Sequence, residues 1–180
     1  MERSCARVAA RPRPRAILRG MYPTQNDLDV RVRTRMVELL NDRLSATIDL
    51  FNQAKQAHWN VKGPAFRALH ELFDDVAEHV EEWSDTIAER AVALGGNAEG
   101  TTQRVAERTS LPAYPLELQA GSAHVEAFSK VLAAYAALVR GAIQIATDAG
   151  DADTADLFTE ISREADKDLW MVEAHHPRYT

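Results

Sequence analysis

Residues 64–94, PAFRALHELFDDVAEHVEEWSDTIAERAVAL, decide the fold of this chain because they contain one long helical pattern with two distinct faces. At about 100° per residue, apolar side chains recur along a single stripe of this predicted helix. The members of the stripe are Leu69, Phe73, Val76, Val80, Trp83, Ile87 and Leu94. Pro64 opens the helix, and the pair Gly95-Gly96 ends it. We predict that the stripe faces the interior of a helical bundle.

The opposite face carries two pairs of candidate metal ligands, His70 with Asp74 and Asp85 with Glu89. Residues four positions apart lie about one turn apart on the same side of a helix. Imidazole nitrogen beside carboxylate oxygen suits iron, manganese or zinc better than copper(I) or magnesium. Since His70 and Asp85 are 15 positions apart, or about 22 Å along the axis, no single ion contacts both pairs.

Two interpretations of this face remain open: a solvated surface, or a surface that meets another subunit. In the second, two copies of the helix lie antiparallel about a two-fold axis. The first pair of one copy then faces the second pair of the other, and two identical sites result. Ala77 and Ala88 are predicted on the same face, where small side chains allow close approach. His58 favours the metal interpretation, because it ends an apolar helix, where a solvated histidine is less expected.

The rest of the chain is predicted to be all-α, with four long helices and no alternating strand pattern. The predicted helices span residues 27–60, 64–94, 118–149 and about 154–174, and a short helix is predicted at 101–109 within the long connection 97–117. Asp151 or Asp153 is the expected N-cap of the last helix. Two hairpins joined by a long crossover predict a ferritin-like four-helix bundle.

Composition excludes several classes of protein. A length of 180 residues with 46% apolar residues suits one soluble globular domain. No continuous apolar run approaches the roughly 20 residues that span a bilayer, and the N-terminus lacks the apolar core of a secretory signal. The single cysteine, Cys5, excludes an intrachain disulfide bond and fits a reducing compartment such as the cytoplasm.

The first twenty residues form a basic arm on an acidic protein. The arm has a net charge of +5, from six arginines and one glutamate, whereas the whole chain has −6. The arginines are Arg3, Arg7, Arg11, Arg13, Arg15 and Arg19. Such an arm binds the phosphates of DNA by counterion release, or it is a disordered leader. Met21 is also a possible start of translation, in which case the arm is not made.

Several motifs resemble the Dps family of miniferritins, the DNA-binding proteins from starved cells. They are KQAHWNVKG at 55–63, HELFD at 70–74, DTIAERA at 85–91, LGG at 94–96, YPL at 114–116, DTAD at 153–156 and DKDLWM at 166–171. The resemblance covers nearly all of residues 21–175. It divides the chain into the arm, 1–20, a ferritin-like domain, 21–176, and a short tail, 177–180.

The resemblance implies a ferroxidase centre between subunits related by two-fold symmetry. His58, His70 and Asp74 would come from one subunit, and Asp85 and Glu89 from its neighbour. It further implies a di-iron site, a homododecameric cage, hydrogen peroxide as the preferred oxidant of Fe(II), and storage of ferric mineral. Protection of DNA from oxidative stress would follow, in the cytoplasm or at the nucleoid. The alternative is a structural protein that compacts the nucleoid and has little ferroxidase activity.

Other residues have open roles. Trp59 would transfer electrons at the centre or pack as an aromatic anchor. Asp151, Asp156 and Glu160 approach the spacing of a three-fold iron-entry pore, with N-capping as the alternative for Asp151. The histidines expected to be solvated are His79, His124, His175 and His176. Other di-metal proteins on this bundle are disfavoured, because the chain has a single Glu-x-x-His string, at 173–176.

Overall fold

The fold is a four-helix bundle, as predicted. The computed structural model describes residues 20–179, so the arginines of the arm, with Cys5, lie outside the described residues. The helices are α1 Val30–Asn60, α2 Phe66–Ala93, α3 Thr102–Arg108, α4 Gly121–Ala149 and α5 Ala152–Glu173, followed by a 3₁₀ turn, Pro177–Tyr179. Between residues 20 and 179, extended pairing is limited to one isolated parallel bridge between Lys62 and Ala120.

Two antiparallel hairpins, α1 with α2 and α4 with α5, pack against each other around one core. The short helix α3 lies within the long crossover and contacts α1. All seven members of the apolar stripe on α2 are buried. Phe73 of the stripe contacts Phe128 of α4 edge-on, with ring centroids 5.4 Å apart. The stripe therefore joins the two hairpins, as the helical period predicts.

One expectation about α2 is wrong. Ala77 is buried within the chain's own core, and Ala88 is partly buried against it. The inward arc of α2 is wider than the apolar stripe, because α1 covers α2 along much of its length. Ala77 is therefore not available for contact with a second copy.

The helix ends differ from the prediction by a few residues. α1 begins at Val30 because the Asp29 carboxylate accepts a hydrogen bond from the Arg31 N–H at 2.8 Å, as an N-cap does. α2 begins at Phe66, two residues after the expected Pro64. At its other end, Gly95 adopts φ +87°, a left-handed conformation that favours glycine. These ends place both predicted ligand pairs well inside α2.

By length and composition alone, α4 is the one helix of residues 20–179 that has the properties of a membrane span. Its apolar side chains nevertheless pack against the other helices inside the bundle. Phe128, Leu132, Tyr135 and Val139 are fully buried in the core. A central helix of a bundle has the same composition as a membrane span, so this feature is weak evidence for a membrane.

Candidate metal centre

His58 and His70 hold each other in a reciprocal arrangement where α1 passes into α2. His58 Nδ1–H donates to the backbone carbonyl of His70, and His70 Nδ1–H donates to that of His58, both at 2.8 Å. A carbonyl oxygen only accepts, so the proton of each neutral ring lies on Nδ1. The rings stack with centroids 3.7 Å apart. Each Nε2 is therefore left with its lone pair.

This tautomer is the one that a metal site needs. A metal-binding histidine usually donates its second ring N–H to a carbonyl or carboxylate, which fixes the ring and makes the ligating nitrogen more basic. Both histidines meet that requirement through backbone atoms, without help from other side chains. A neutral imidazole nitrogen of this kind is a donor that divalent transition metals such as iron accept.

Asp74 lies one turn beyond His70 and completes a first half-site, defined as His58, His70 and Asp74. Its Oδ1 accepts a hydrogen bond from Lys55 Nζ at 2.5 Å and lies 3.8 Å from His58 Nδ1. The hydrogen bond from Lys55 is the main reason why the pKa of Asp74 is lowered. Asp74 is therefore held as a carboxylate, the form that binds metal.

The second half-site, Asp85 with Glu89, lies further along α2 on exposed positions. Within residues 20–179, no three His, Cys, Asp or Glu side chains are arranged to hold a metal ion on their own. The fold therefore brings the residues of the first half-site together but leaves the second half-site apart from them.

Trp59 follows His58 directly and projects from the chain. Its side chain is 67% exposed, although tryptophan is highly buried in most folded proteins. Phe66, near the His70 ring, is also exposed. Trp59 therefore does not anchor the end of α1 within a single chain. The aromatic surface beside the first half-site remains uncovered.

Asp151 is engaged inside the chain at the turn between α4 and α5. Its Oδ1 accepts hydrogen bonds from the Arg90 guanidinium at 2.7 Å and from the Thr154 N–H at 3.1 Å. Its Oδ2 accepts a hydrogen bond from the Thr154 hydroxyl at 2.6 Å. The geometry supports N-capping, with Arg90 of α2 as an additional partner. Asp156 and Glu160 are exposed along α5.

Of the histidines expected to be solvated, His124 is buried and His79 is only partly exposed. His124 is fully buried: its Nδ1 accepts the Tyr114 hydroxyl at 2.8 Å, and its Nε2–H donates to the Leu118 carbonyl at 3.2 Å. His79 is partly exposed, and its Nδ1 bonds the buried carboxylate of Asp168 at 3.0 Å. In both cases the partner comes from another segment, which helical spacing does not reveal.

We expect His124 to make the fold sensitive to acid. Burial lowers the pKa of His124 below its ordinary value, which is about 6.5. The unfolded chain therefore binds this proton at a higher pH than the folded chain does. The stabilisation is complete above about pH 6.5 and is lost as the pH falls toward the lower folded value.

The measurement is thermal unfolding of wild type and His124→Gln between about pH 7 and about pH 5. Glutamine retains one acceptor and one donor, so the variant should lose less stability on acidification than wild type. His175→Gln, at an exposed position, serves as the control and should follow wild type. Equal acid sensitivity in all three proteins would contradict the assignment.

Comparison with known proteins agrees with this fold. The model of the ferritin-like domain matches residues 37–178. The DNA protection during starvation protein of Agrobacterium fabrum is 44% identical over 154 residues, which is 86% of this chain and 95% of that protein. Among solved structures, Mycobacterium smegmatis Dps matches with TM-score 0.81, 31% identity and coverage of 84% and 93%. DpsA14 from Streptomyces coelicolor matches with TM-score 0.82, 32% identity and coverage of 87% and 94%.

Proposed function

Because the chain belongs to the Dps family of ferritin-like proteins, we propose that it oxidises Fe(II) at sites shared between two subunits and stores the ferric product. The observation that carries the proposal is the reciprocal His58–His70 arrangement, which leaves a lone pair on the Nε2 of each ring. The family is associated with iron storage and with DNA protection during starvation. The oxidant, the shared site and the cage of twelve subunits are our proposals.

The residues have distinct roles in this proposal. His58 and His70 bind the Fe(II) substrate through Nε2, and Asp74 contributes a carboxylate that Lys55 keeps ionised. Asp85 and Glu89 of a second copy supply further carboxylates, which favour Fe(III) once it forms. Exposed Trp59 directly follows His58 in the chain and would supply an electron to the site.

Holding two Fe(II) ions together determines the products of the oxidation. Hydrogen peroxide accepts one electron from each of two Fe(II) ions, takes up two protons and gives two water molecules. Reaction at a single Fe(II) ion instead releases a hydroxyl radical. A shared site therefore consumes peroxide without producing the radical that damages DNA, which is a protective activity under oxidative stress.

We test the site by adding Fe(II) without oxygen and then adding hydrogen peroxide, following the ferric absorbance. The variant His70→Ala/Asp85→Ala removes one ligand from each half-site and should fall to the rate of iron in buffer. Asp75→Ala, an exposed carboxylate next to Asp74, is the matched control and should keep the wild-type rate. Normal oxidation by the double variant would refute the site assignment.

The proposed cage contains twelve subunits. The mass of the assembly is the direct measurement, and a monomer or isolated dimer would contradict the proposal.

Iron would enter at a three-fold axis lined by Asp156 and Glu160, whose exposed carboxylates lie one turn apart. Asp151 would not line this pore itself, because its carboxylate accepts hydrogen bonds from Arg90 and Thr154. It would instead hold the start of α5 in place.

A second function, DNA binding in the cytoplasm or nucleoid, is favoured by the net charge of +5 on the arm. Twelve copies of a weakly binding arm would give high avidity. We expect deletion of residues 1–20 to abolish the gel shift of DNA at low salt, and rising salt to abolish that of the full-length cage. Retention of DNA by the truncated cage would refute the role of the arm, while iron oxidation would be unaffected.

A further inference from the structure

Trp83 has an unusual environment in the middle of the bundle. Its side chain is only 4% exposed, and its Nε1–H donates to the Glu164 carboxylate of α5 at 2.6 Å. The indole lies parallel to the Tyr135 ring of α4, with centroids 5.8 Å apart and 5° between the ring planes. Trp83 and Tyr135 thus form a buried pair of oxidisable rings, and the indole N–H of Trp83 donates its proton to a carboxylate.

We propose that Trp83 is a redox site that accepts oxidising equivalents from radicals. A one-electron oxidant of the hydroxyl-radical class takes one electron from the indole, and the Nε1 proton moves along the hydrogen bond to Glu164. The products are a neutral indole radical, a protonated Glu164 and hydroxide from the hydroxyl radical. This proposal goes beyond iron oxidation and does not depend on it.

The surroundings of Tyr135 keep the radical on Trp83. The Tyr135 hydroxyl lies 2.9 Å from Thr47 Oγ1, whose own proton is donated to the Arg43 carbonyl at 2.7 Å. The tyrosine proton therefore faces another hydroxyl and not a base. Burial also raises the pKa of Tyr135. Tyr135 consequently keeps its proton, and its ring serves as a polarisable neighbour for the oxidised indole.

The chain contains three tryptophans, and the other two are natural controls. Trp59 and Trp170 are 67% and 66% exposed. Within residues 20–179, Trp83 is the tryptophan whose indole N–H meets a carboxylate. If solvent access alone governed oxidation, Trp59 and Trp170 would react and Trp83 would not. The proposal predicts a radical on the buried ring instead.

The experiment generates azide radicals by pulse radiolysis, with no iron present, and records the transient absorbance of tryptophan radicals. In Trp59→Phe/Trp170→Phe, Trp83 is the sole tryptophan, and we expect the neutral indole radical to form. Adding Glu164→Gln should delay loss of the proton, so that the cation radical persists. Adding Asp166→Asn instead, an exposed carboxylate that pairs with Arg140, should not change the transient.

A parallel measurement uses the wild-type cage and needs no variant. After steady exposure to azide radicals, peptide mass mapping compares oxidised products at the three tryptophans, and Trp83 should carry more than Trp170. Absence of a radical in the single-tryptophan variant, or oxidation ordered by exposure, would overturn the proposal. An unchanged transient in the Glu164→Gln background would overturn the role of Glu164. Since iron is absent, none of these outcomes depends on ferroxidase activity.

Discussion

Cages that mix His70→Ala chains with Asp85→Ala chains are expected to recover iron oxidation that neither pure cage shows. In a pure cage, every shared site lacks one ligand. In a mixed dimer, one site receives both altered halves, and the other receives the intact first half-site of one chain and the intact second half-site of its partner. Recovery therefore follows from sharing between subunits, and the measurement is the rate of ferric absorbance after peroxide addition.

The size of the recovery is also predicted. With random pairing, half of the dimers are mixed and each holds one intact site of two, so about a quarter of all sites work. The control mixes His70→Ala with Asp74→Ala, which lie in the same half-site, and should recover nothing. Recovery in this control, or none in the first mixture, would refute the division of ligands between subunits.

Much of the fold could be predicted because helices bury one stripe at a fixed period. The stripe from Leu69 to Leu94 is buried as predicted, and the predicted short helix in the crossover appears as α3. The exact first and last residues of the helices could not be predicted as well, because helix ends vary by one or two residues with the local capping. The width of the buried arc also depends on the packing of neighbouring helices against α2, which buries Ala77.

The candidate site was predicted in part. Spacing along α2 predicts four candidate ligands, but the reciprocal bonds between His58 and His70 join two helices through backbone carbonyls. The Lys55–Asp74 ion pair likewise joins α1 to α2. His124 was misjudged because its partner, Tyr114, lies in the irregular crossover. Contacts between segments depend on how the helices pack, and a helical wheel contains no such information.

We expect Asp151→Ala to lower the stability of the fold by about 3 kcal/mol or more. The substitution removes the N-cap of α5 and takes from Arg90, which is largely buried, its closest carboxylate partner. A lost cap costs about 1 kcal/mol, and an unpaired buried charge costs several more. Arg90 directly follows Glu89, so the loss should also loosen the end of α2 that carries the second half-site.

Asp153→Ala is the matched control for this stability prediction. Asp153 also approaches Arg90, at 3.6 Å, but its side chain is 83% exposed and Asp151 is 1% exposed. Because exposed ion pairs contribute little, this control should change stability by less than about 1 kcal/mol. Asp151→Asn, which retains a cap acceptor but loses the charge, should fall between the two. Thermal and denaturant unfolding of intact cages measures the stability of the three variants and so their order. Equal losses of stability in Asp151→Ala and Asp153→Ala would show that burial of the Asp151–Arg90 pair has no energetic consequence.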